Sequence, residues 1–335
     1  MASGWNANDD ALLARARALN QARDYPALAE LLESAEVDVH SADPELPLLL
    51  ADVWRRLGRA DASFALAGSL RGRLRHDGHD RLLRHQQNLV GMLLFERGEI
   101  DGAERTWLAL LDDAHRADDS EWVARATQNL GVVYTLTDRA QEAMTCHTRA
   151  IAAYQRLGHR RGLAQAHQNL AIAYRDAGFV AQSEQHFREA AIHARTDGSQ
   201  DELARVEQER ALLILLSGDV AHARSTARNA LGTFNRLGDP NGAAEAWRVL
   251  GLADLAEADY DGARAALTQA LEPGGNLLLR AEVHAALAEL ERQLGRHSEA
   301  EASAAEAAHA FAELGASGWG EREHRRIRQI IETAG

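Results

Sequence analysis

The chain contains no lysine: all 37 of its Lys+Arg residues are arginine. That removes the phosphate-gripping lysine of Walker-type loops, the Schiff-base lysine and the amine general base together. Arginine replaces lysine freely on solvated surfaces, so the absence itself reads as coding bias. The single cysteine, Cys146, permits no internal disulfide and calls for no oxidising compartment. Proline is scarce, with five residues in 335, and together with abundant Ala, Leu, Arg and Glu this favours helix throughout. No apolar run is long enough to cross a bilayer, and the opening Met1 to Asn6 lacks a basic-then-apolar signal region. A cytoplasmic setting without a membrane partner is therefore expected. The formal charge of −13 argues against general nucleic-acid binding. No HExxH, GxSxG, phosphate-cradling glycine loop or paired CxxC occurs. Neither an enzyme nor a cofactor or metal is expected.

What the chain does contain is itself, repeated. Asn129-Leu130-Gly131-Val132-Val133-Tyr134 returns forty residues later as Asn169-Leu170-Ala171-Ile172-Ala173-Tyr174. Small anchor positions recur at Ala51, Gly91, Gly131, Ala171, Ala211, Gly251 and Ala288, with Arg15 in register ahead of them. Seven residues after most anchors stands a turn residue, at Gly58, Gly98, Asp138, Gly178, Gly218 and Gly295. Twelve after each anchor comes another small residue, among them Ser63, Ala103, Ala143, Ser183, Ala223 and Ala263. Each unit is thus an antiparallel pair, helix A then helix B, whose apolar face is buried only by stacking on its neighbours.

The pattern Trp-x2-Leu-Gly-x2-Tyr followed by Ala-x3-Phe is met in part by Trp247, Leu250, Gly251, Ala263 and Leu267, and by Leu130, Gly131, Tyr134 and Ala143. In this the chain resembles the tetratricopeptide repeat (TPR) family. Its unit of about forty residues exceeds the family's basic ~34, so helices or connectors must be longer. The Leu-Gly connectors and the Asn-Leu-Gly core resemble the kinesin light chain and polarity-adaptor subset. The resemblance implies an all-α, right-handed superhelical solenoid of about eight TPR-like helix pairs plus a C-terminal capping helix. The expected units are 9–40, 44–76, 82–117, 121–157, 161–197, 201–237, 241–273 and 278–314, in a single solenoid spanning 1–335. The cap is expected over 319–333, with Trp319, Ile327, Ile330 and Ile331 as its apolar set and Arg322, Arg325, Arg326 and Arg328 on the other face. Pro273-Gly274-Gly275-Asn276 shortens one interval and is expected to bend the array or mark a flexible joint.

Helical periodicity and the family's geometry place a concave face on the A helices. Its polar rail is expected to comprise His85, Asn88, Arg125, Gln128, Gln165, Gln168, Arg205, Gln208 and Arg248. Beside it runs an apolar rail of Met92, Val132, Ile172 and Leu212. Amide side chains can satisfy a peptide's backbone while the apolar stripe buries its side chains. The resemblance implies that Asn129 and Asn169 clamp a ligand main chain. Arg125, Arg205 and Arg248, with Arg175 on the far side of helix A, would suit an acidic segment or a free C-terminal carboxylate. Glu96, Asp176, Glu209 and Glu245 lie nearby as competing partners. The expected function is a non-enzymatic scaffold holding a protein or peptide. A peptide sensor that changes superhelical shape is the first alternative, and a metalloprotein using the His76 to His85 loop cluster the second. Oligomeric state is left open by the sequence.

Overall fold

The computed structural model describes residues 7–272 and 277–334. The expected bend or joint at 273–276 lies outside the described residues. These fold into helices in strict succession, with no strand among them. Eight A–B pairs follow one another: α1 (Ala7–Ala22) with α2 (Tyr25–Ser34), α3 (Glu45–Arg56) with α4 (Ala60–His76), α5 (Asp80–Glu96) with α6 (Ile100–Arg116), and α7 (Ser120–Leu136) with α8 (Ala140–Leu157). They continue as α9 (Arg160–Asp176) with α10 (Val180–Asp197), α11 (Gln200–Leu216) with α12 (Val220–Leu237), α13 (Pro240–Ala256) with α14 (Tyr260–Leu271), and α15 (Leu277–Gln293) with α16 (His297–Glu313). A last helix, α17 (Ser317–Ala334), closes the chain. The chain divides into two compact units, Met1–Trp122 and Val123–Gly335. The long repeat is accounted for by the helices: α9 to α12 have 17 or 18 residues each, joined by connectors of two or three residues.

Local chemistry explains these boundaries. Asp239 caps α13 by accepting the Gly242 amide at 2.9 Å, with Pro240 in the first turn, where its missing N–H costs nothing. At the equivalent place in α9, His159 Nδ1 accepts the Gly162 amide at 2.8 Å. Both glycines also admit the preceding B helix, since a Cβ at Gly162 would lie 2.6 Å from the Tyr154 ring and one at Gly242 would lie 2.4 Å from Phe234.

The small anchors behave as the repeat requires. A Cβ on Gly91 would meet Trp107 at 2.6 Å, on Gly131 the His147 ring at 2.4 Å, and on Gly251 Leu267 at 2.7 Å. Each of these partners stands sixteen residues after its anchor. Where the anchor is Ala51 or Ala211, the same position holds Ala67 or Ala227, both fully buried. The small B-helix residues Ala103, Ala143, Ala223 and Ala263 have no exposure. Ser63 and Ser183 at the same position donate to the anchor carbonyls of Ala51 and Ala171 at 2.6 and 2.8 Å. In the second unit the core runs through Ala150, Tyr154, Leu163 and Leu170, then through Phe187, Ala190, Val206 and Leu213. The first unit is built around Leu28, Leu32, Leu46 and Leu50 and around Leu70, Leu74, Leu89 and Leu93.

Gly131→Ala is expected to lower the unfolding free energy by about 1–3 kcal/mol through overpacking against a buried ring. Gly232→Ala, where a Cβ meets nothing within 4 Å, is expected to raise it by about 0.4–1 kcal/mol. Urea denaturation of both variants checks the contrast. Burial pushes the His147 imidazole down to about 4, outweighing its bond to the Gly131 backbone. The unfolded state then binds the extra proton between about pH 6.5 and 4, so stability falls as pH falls through that window. This group contributes up to about 3 kcal/mol of that loss. His147→Leu is expected to flatten the slope, read from denaturation midpoints at pH 7.5 and 5.

Candidate binding face and the seat of the C-terminal helix

In the second unit the A helices α9, α11, α13 and α15 pack against one another in succession, forming a continuous layer. Amides on that layer build a ladder. Gln128 on α7 donates to Gln165 Oε1 on α9 at 3.5 Å, and Gln165 Nε2 donates to Glu202 on α11 at 3.0 Å. Gln128 Oε1 and Gln208 Nε2 are buried polar atoms without a hydrogen-bond partner. Asn129, Gln168 and Asn169 are half-buried, as are Val132 and Ile172 of the apolar rail. Ile172 packs on the Phe187 core, and Leu212 is wholly buried. Arg125 is half-buried on α7. Arg205 is 45% exposed, pairs with Asp239 at 2.5 Å and lies over the Phe234 ring.

In the first unit His85 stands beside the Trp122 ring at 5.8 Å. Asn88 is buried, with its Oδ1 accepting Trp107 Nε1 of α6 at 3.3 Å and its amide against Met92 Sδ at 3.9 Å. Glu96 pairs with Arg55 at 2.6 Å. Asn88 therefore also serves the packing of its own helix pair.

The arginines are where the structure departs most from a ligand-ready rail. Arg175 and Arg248 have side chains 3% exposed, and each is enclosed by carboxylates. Arg175 binds Asp176 at 3.0 Å and Glu209 at 2.7 Å. Arg248 binds Glu323 at 3.0 Å and Glu282 at 3.3 Å, with Glu245 at 3.7 Å. Two of these carboxylates come from outside the expected face: Glu282 on α15, at the same register as Glu245, and Glu323 on α17.

The terminal helix covers the last pair, as a cap does, packing on α15 and α16, with Gly320 seated under Phe311. It also packs on α13 and α11 and bonds to the ends of α7 and α9. Trp319 Nε1 donates to Glu282 at 2.9 Å. Arg322 donates to the Thr135 carbonyl at 2.8 Å and pairs with Asp138 at 2.9 Å. Arg326 bridges Glu323 at 2.5 Å and Asp176 at 2.9 Å. At the far end the Thr333 carbonyl would lie 3.1 Å from a Cβ on Gly218, whose φ of +86° already favours glycine. Asp138 takes the turn position that glycine holds elsewhere, at φ 64°, and uses its carboxylate for Arg322.

The expected division of α17 into an apolar face and an arginine face is corrected by these contacts. Arg326 and Glu323 lie on the buried face, 7% and 0% exposed. Trp319, Glu323, Arg326, Ile327 and Ile330 follow the i, i+4, i+7, i+8, i+11 spacing that brings residues to one side of a helix. Arg325 and Arg328 remain on the solvent side.

The result is an alternating chain of charges: Glu209, Arg175, Asp176, Arg326, Glu323, Arg248 and Glu282, closed by the Trp319 indole. Burial alone would raise the Asp176 carboxyl, but Arg175 and Arg326 outweigh it and hold it below its usual range. Glu245 goes the other way. Burial pushes it up to about 8, with Glu282 and Glu209 adding to this against the pull of Arg248. Burial likewise raises Glu282.

Histidines cluster in a second place. His167 Nδ1 lies 3.0 Å from His186 Nδ1, His193 stacks on His167 at 5.6 Å, and Tyr174 stacks on His186 at 5.5 Å. Burial, then the neighbouring His186 and His193, push His167 down to about 4, so His167 itself is neutral at pH 7. In the first unit His76 ends α4, His79 precedes α5, and His85 lies on α5. Among the described residues no three His, Cys, Asp or Glu side chains converge as a metal site, so geometry lends the metalloprotein alternative no support. No described helix is long and apolar enough to cross a membrane.

Residues 81–156 match the family model for the tetratricopeptide repeat. No curated protein is a significant match to the sequence. Among solved structures, a Rap protein complexed with Competence and Sporulation Factor shares 15% identity over 98% of this chain and 100% of its own, with a TM-score of 0.62. The Rap conjugation gene regulator of plasmid pLS20, in complex with the Phr* peptide, shares 12% over 98% and 95%, with a TM-score of 0.64. The apo form of the quorum sensor NprR from B. thuringiensis shares 14% over 96% and 86%, at 0.57. Residues 81–156 are thus similar to tetratricopeptide repeats, and the fold is the all-α helical-repeat fold of these solved structures.

Replacing Arg175 tests the buried charges. Arg175→Leu leaves Glu209 without its cation and weakens the hold on Asp176, an imbalance expected to cost about 3–5 kcal/mol at pH 7. The orphaned carboxyls would titrate higher in the folded state than in the unfolded one. The deficit relative to wild type should therefore shrink as pH falls toward 5, measured by chemical denaturation at both values.

Proposed function

We propose that this chain is a non-enzymatic scaffold that holds a protein or peptide segment on the A-helix face of its repeats. The observation that carries the reading is the amide ladder. Gln128 bonds to Gln165 and Gln165 to Glu202 across successive repeats, and on the same A helices the buried Gln128 Oε1 and Gln208 Nε2 have no partner within the chain. Buried polar atoms of this kind cost free energy unless a ligand or water supplies the bond, and a peptide backbone offers donors and acceptors at regular spacing. Asn129 and Asn169, half-buried on the same face, are proposed to clamp the ligand main chain. The Rap structures, solved with Competence and Sporulation Factor and with Phr* peptide, support a peptide or protein as the class of ligand.

A peptide sensor is the second reading, favoured by the likeness to a quorum sensor of the same fold. Ligand-driven compaction, seen as a smaller radius of gyration in solution scattering, would distinguish the sensor from a rigid adaptor. An acidic partner is not favoured, because Arg175 and Arg248 are already enclosed by carboxylates and Arg205 is paired. The long-unit likeness to kinesin light chain repeats and the cytoplasmic setting belong to the same proposal, the latter on the strength of a lone, half-buried cysteine.

The test is an affinity capture from native lysate comparing wild type with Asn129→Ala/Asn169→Ala. A partner retained by wild type and lost by the double variant is expected. Equal retention by both would remove these residues from the binding site.

A further inference from the structure

Part of the A-helix face, on α11, α13 and α15 and at the ends of α7 and α9, is in this structure covered by the chain itself, through helix α17. Its docked side is amphipathic in a definite order: an indole at Trp319, a carboxylate at Glu323, a guanidinium at Arg326, then the apolar Ile327 and Ile330. Its seat carries more carboxyls than cations. Asp138, Asp176, Glu209 and Glu282 surround it, with Glu245 mostly protonated at pH 7, against the cations Arg175 and Arg248. The helix answers with two docked cations, Arg322 and Arg326, and one carboxylate, Glu323.

These contacts are of a kind that can be undone. A buried ion pair gives up the hydration of both partners, so its net contribution is small compared with the cost of leaving one partner buried alone. When α17 lifts as a body, both sets of charges regain water together and none is orphaned. The network therefore enforces the register and orientation of α17 more than it locks the helix down. A cap held only by leucines would have no comparable selectivity for what replaced it.

We propose that the face bounded by α9, α11, α13 and α15 is a receptor for an amphipathic, net-cationic helix, that α17 is its resident occupant, and that an outside partner binds by taking the place of α17. The partner is a helical segment with an aromatic side chain, a carboxylate four residues later and a guanidinium three after that, backed by aliphatic residues. This rests on the scaffold reading above and names the occupant of that face. The aromatic donates to or stacks beside Glu282, the carboxylate meets Arg248, and the guanidinium meets Asp176.

The probe is a fluorescein-labelled synthetic peptide with the sequence of residues 317–335, titrated by anisotropy into full-length chain. Wild type is compared with the full-length variant Trp319→Ala/Ile327→Ala/Ile330→Ala, which loosens α17 and leaves its seat intact. The variant is expected to bind the peptide at least tenfold more tightly than wild type. A peptide carrying Glu323→Arg and Arg326→Glu is expected to bind the variant at least tenfold more weakly than the natural one. A variant that keeps its helix content and cooperative unfolding yet binds neither peptide overturns the proposal, as does equal binding of both.

If the variant does not fold, hydrogen exchange of wild type decides. Amides of α17 exchanging well ahead of those in α9 to α15 support a releasable helix, and exchange only with global unfolding overturns it. Peptide binding with no partner lost in the asparagine double variant would sink the asparagine-clamp reading and leave this one standing. A captured partner that binds wild type without changing α17 exchange would do the reverse.

Discussion

The buried chain of alternating charges that ties α17 to the A helices is the constraint on which the second unit depends. Seven ionised side chains and an indole link α9, α11, α13, α15 and α17, and nearly all are sealed from solvent. In a protein interior each such charge is tolerable only with its counter-charge in place. The docked position of α17 and the pairing of those arginines are therefore one fact seen twice. Displacing the helix along its axis would take Glu323 away from Arg248 and Arg326 away from Asp176. The apolar contacts of Trp319, Ile327 and Ile330 supply attraction without register, and the ions supply register.

Beneath that network the repeat rests on small anchors that admit the facing helix B, Ala171 doing so even in the Phe187 core. An anchor glycine accepts Trp107, His147 or Leu267 from helix B, and an anchor alanine accepts Ala67 or Ala227. Close approach at the glycine anchors packs each helix A on its helix B, and the A helices stack beside one another near enough for amide and carboxylate side chains to bridge them. The ladder from Gln128 through Gln165 to Glu202 exists for that reason. Packing thus comes first and creates the polar face, on which recognition is then built.

Much of this was legible in the sequence, because it is carried by local and periodic rules. Anchors, turn residues and the small B-helix positions recur at fixed offsets, and each offset translates directly into a contact within one helix pair. Helical phase puts Arg248 on the rail and Arg175 on the far side of helix A, with Asp176, Glu209 and Glu245 as neighbours. What could not be read was the destination of the last helix. Arg248 and Glu323 are 75 residues apart, and Arg326 and Asp176 are 150 apart. No period links them, since α17 is not a repeat. Helical phase did hold a clue, because Glu323 and Arg326 share a face with Trp319 and Ile330. Counting arginines as a solvated face concealed it.

The central claim is that α17 lies on the A-helix face of its own unit in the free chain, drawn there by apolar burial and set in register by its charges. Pulsed electron resonance between spin labels tests it most directly. The labels would be placed at Arg328→Cys on the solvent side of α17 and Arg188→Cys on α10, with Cys146 replaced by serine. A single narrow distance distribution at low salt, matching the structure, is the result this account predicts, together with a growing longer component after Arg326→Ala. A broad distribution in the unmutated helix, or a narrow one indifferent to the loss of Arg326, would contradict it.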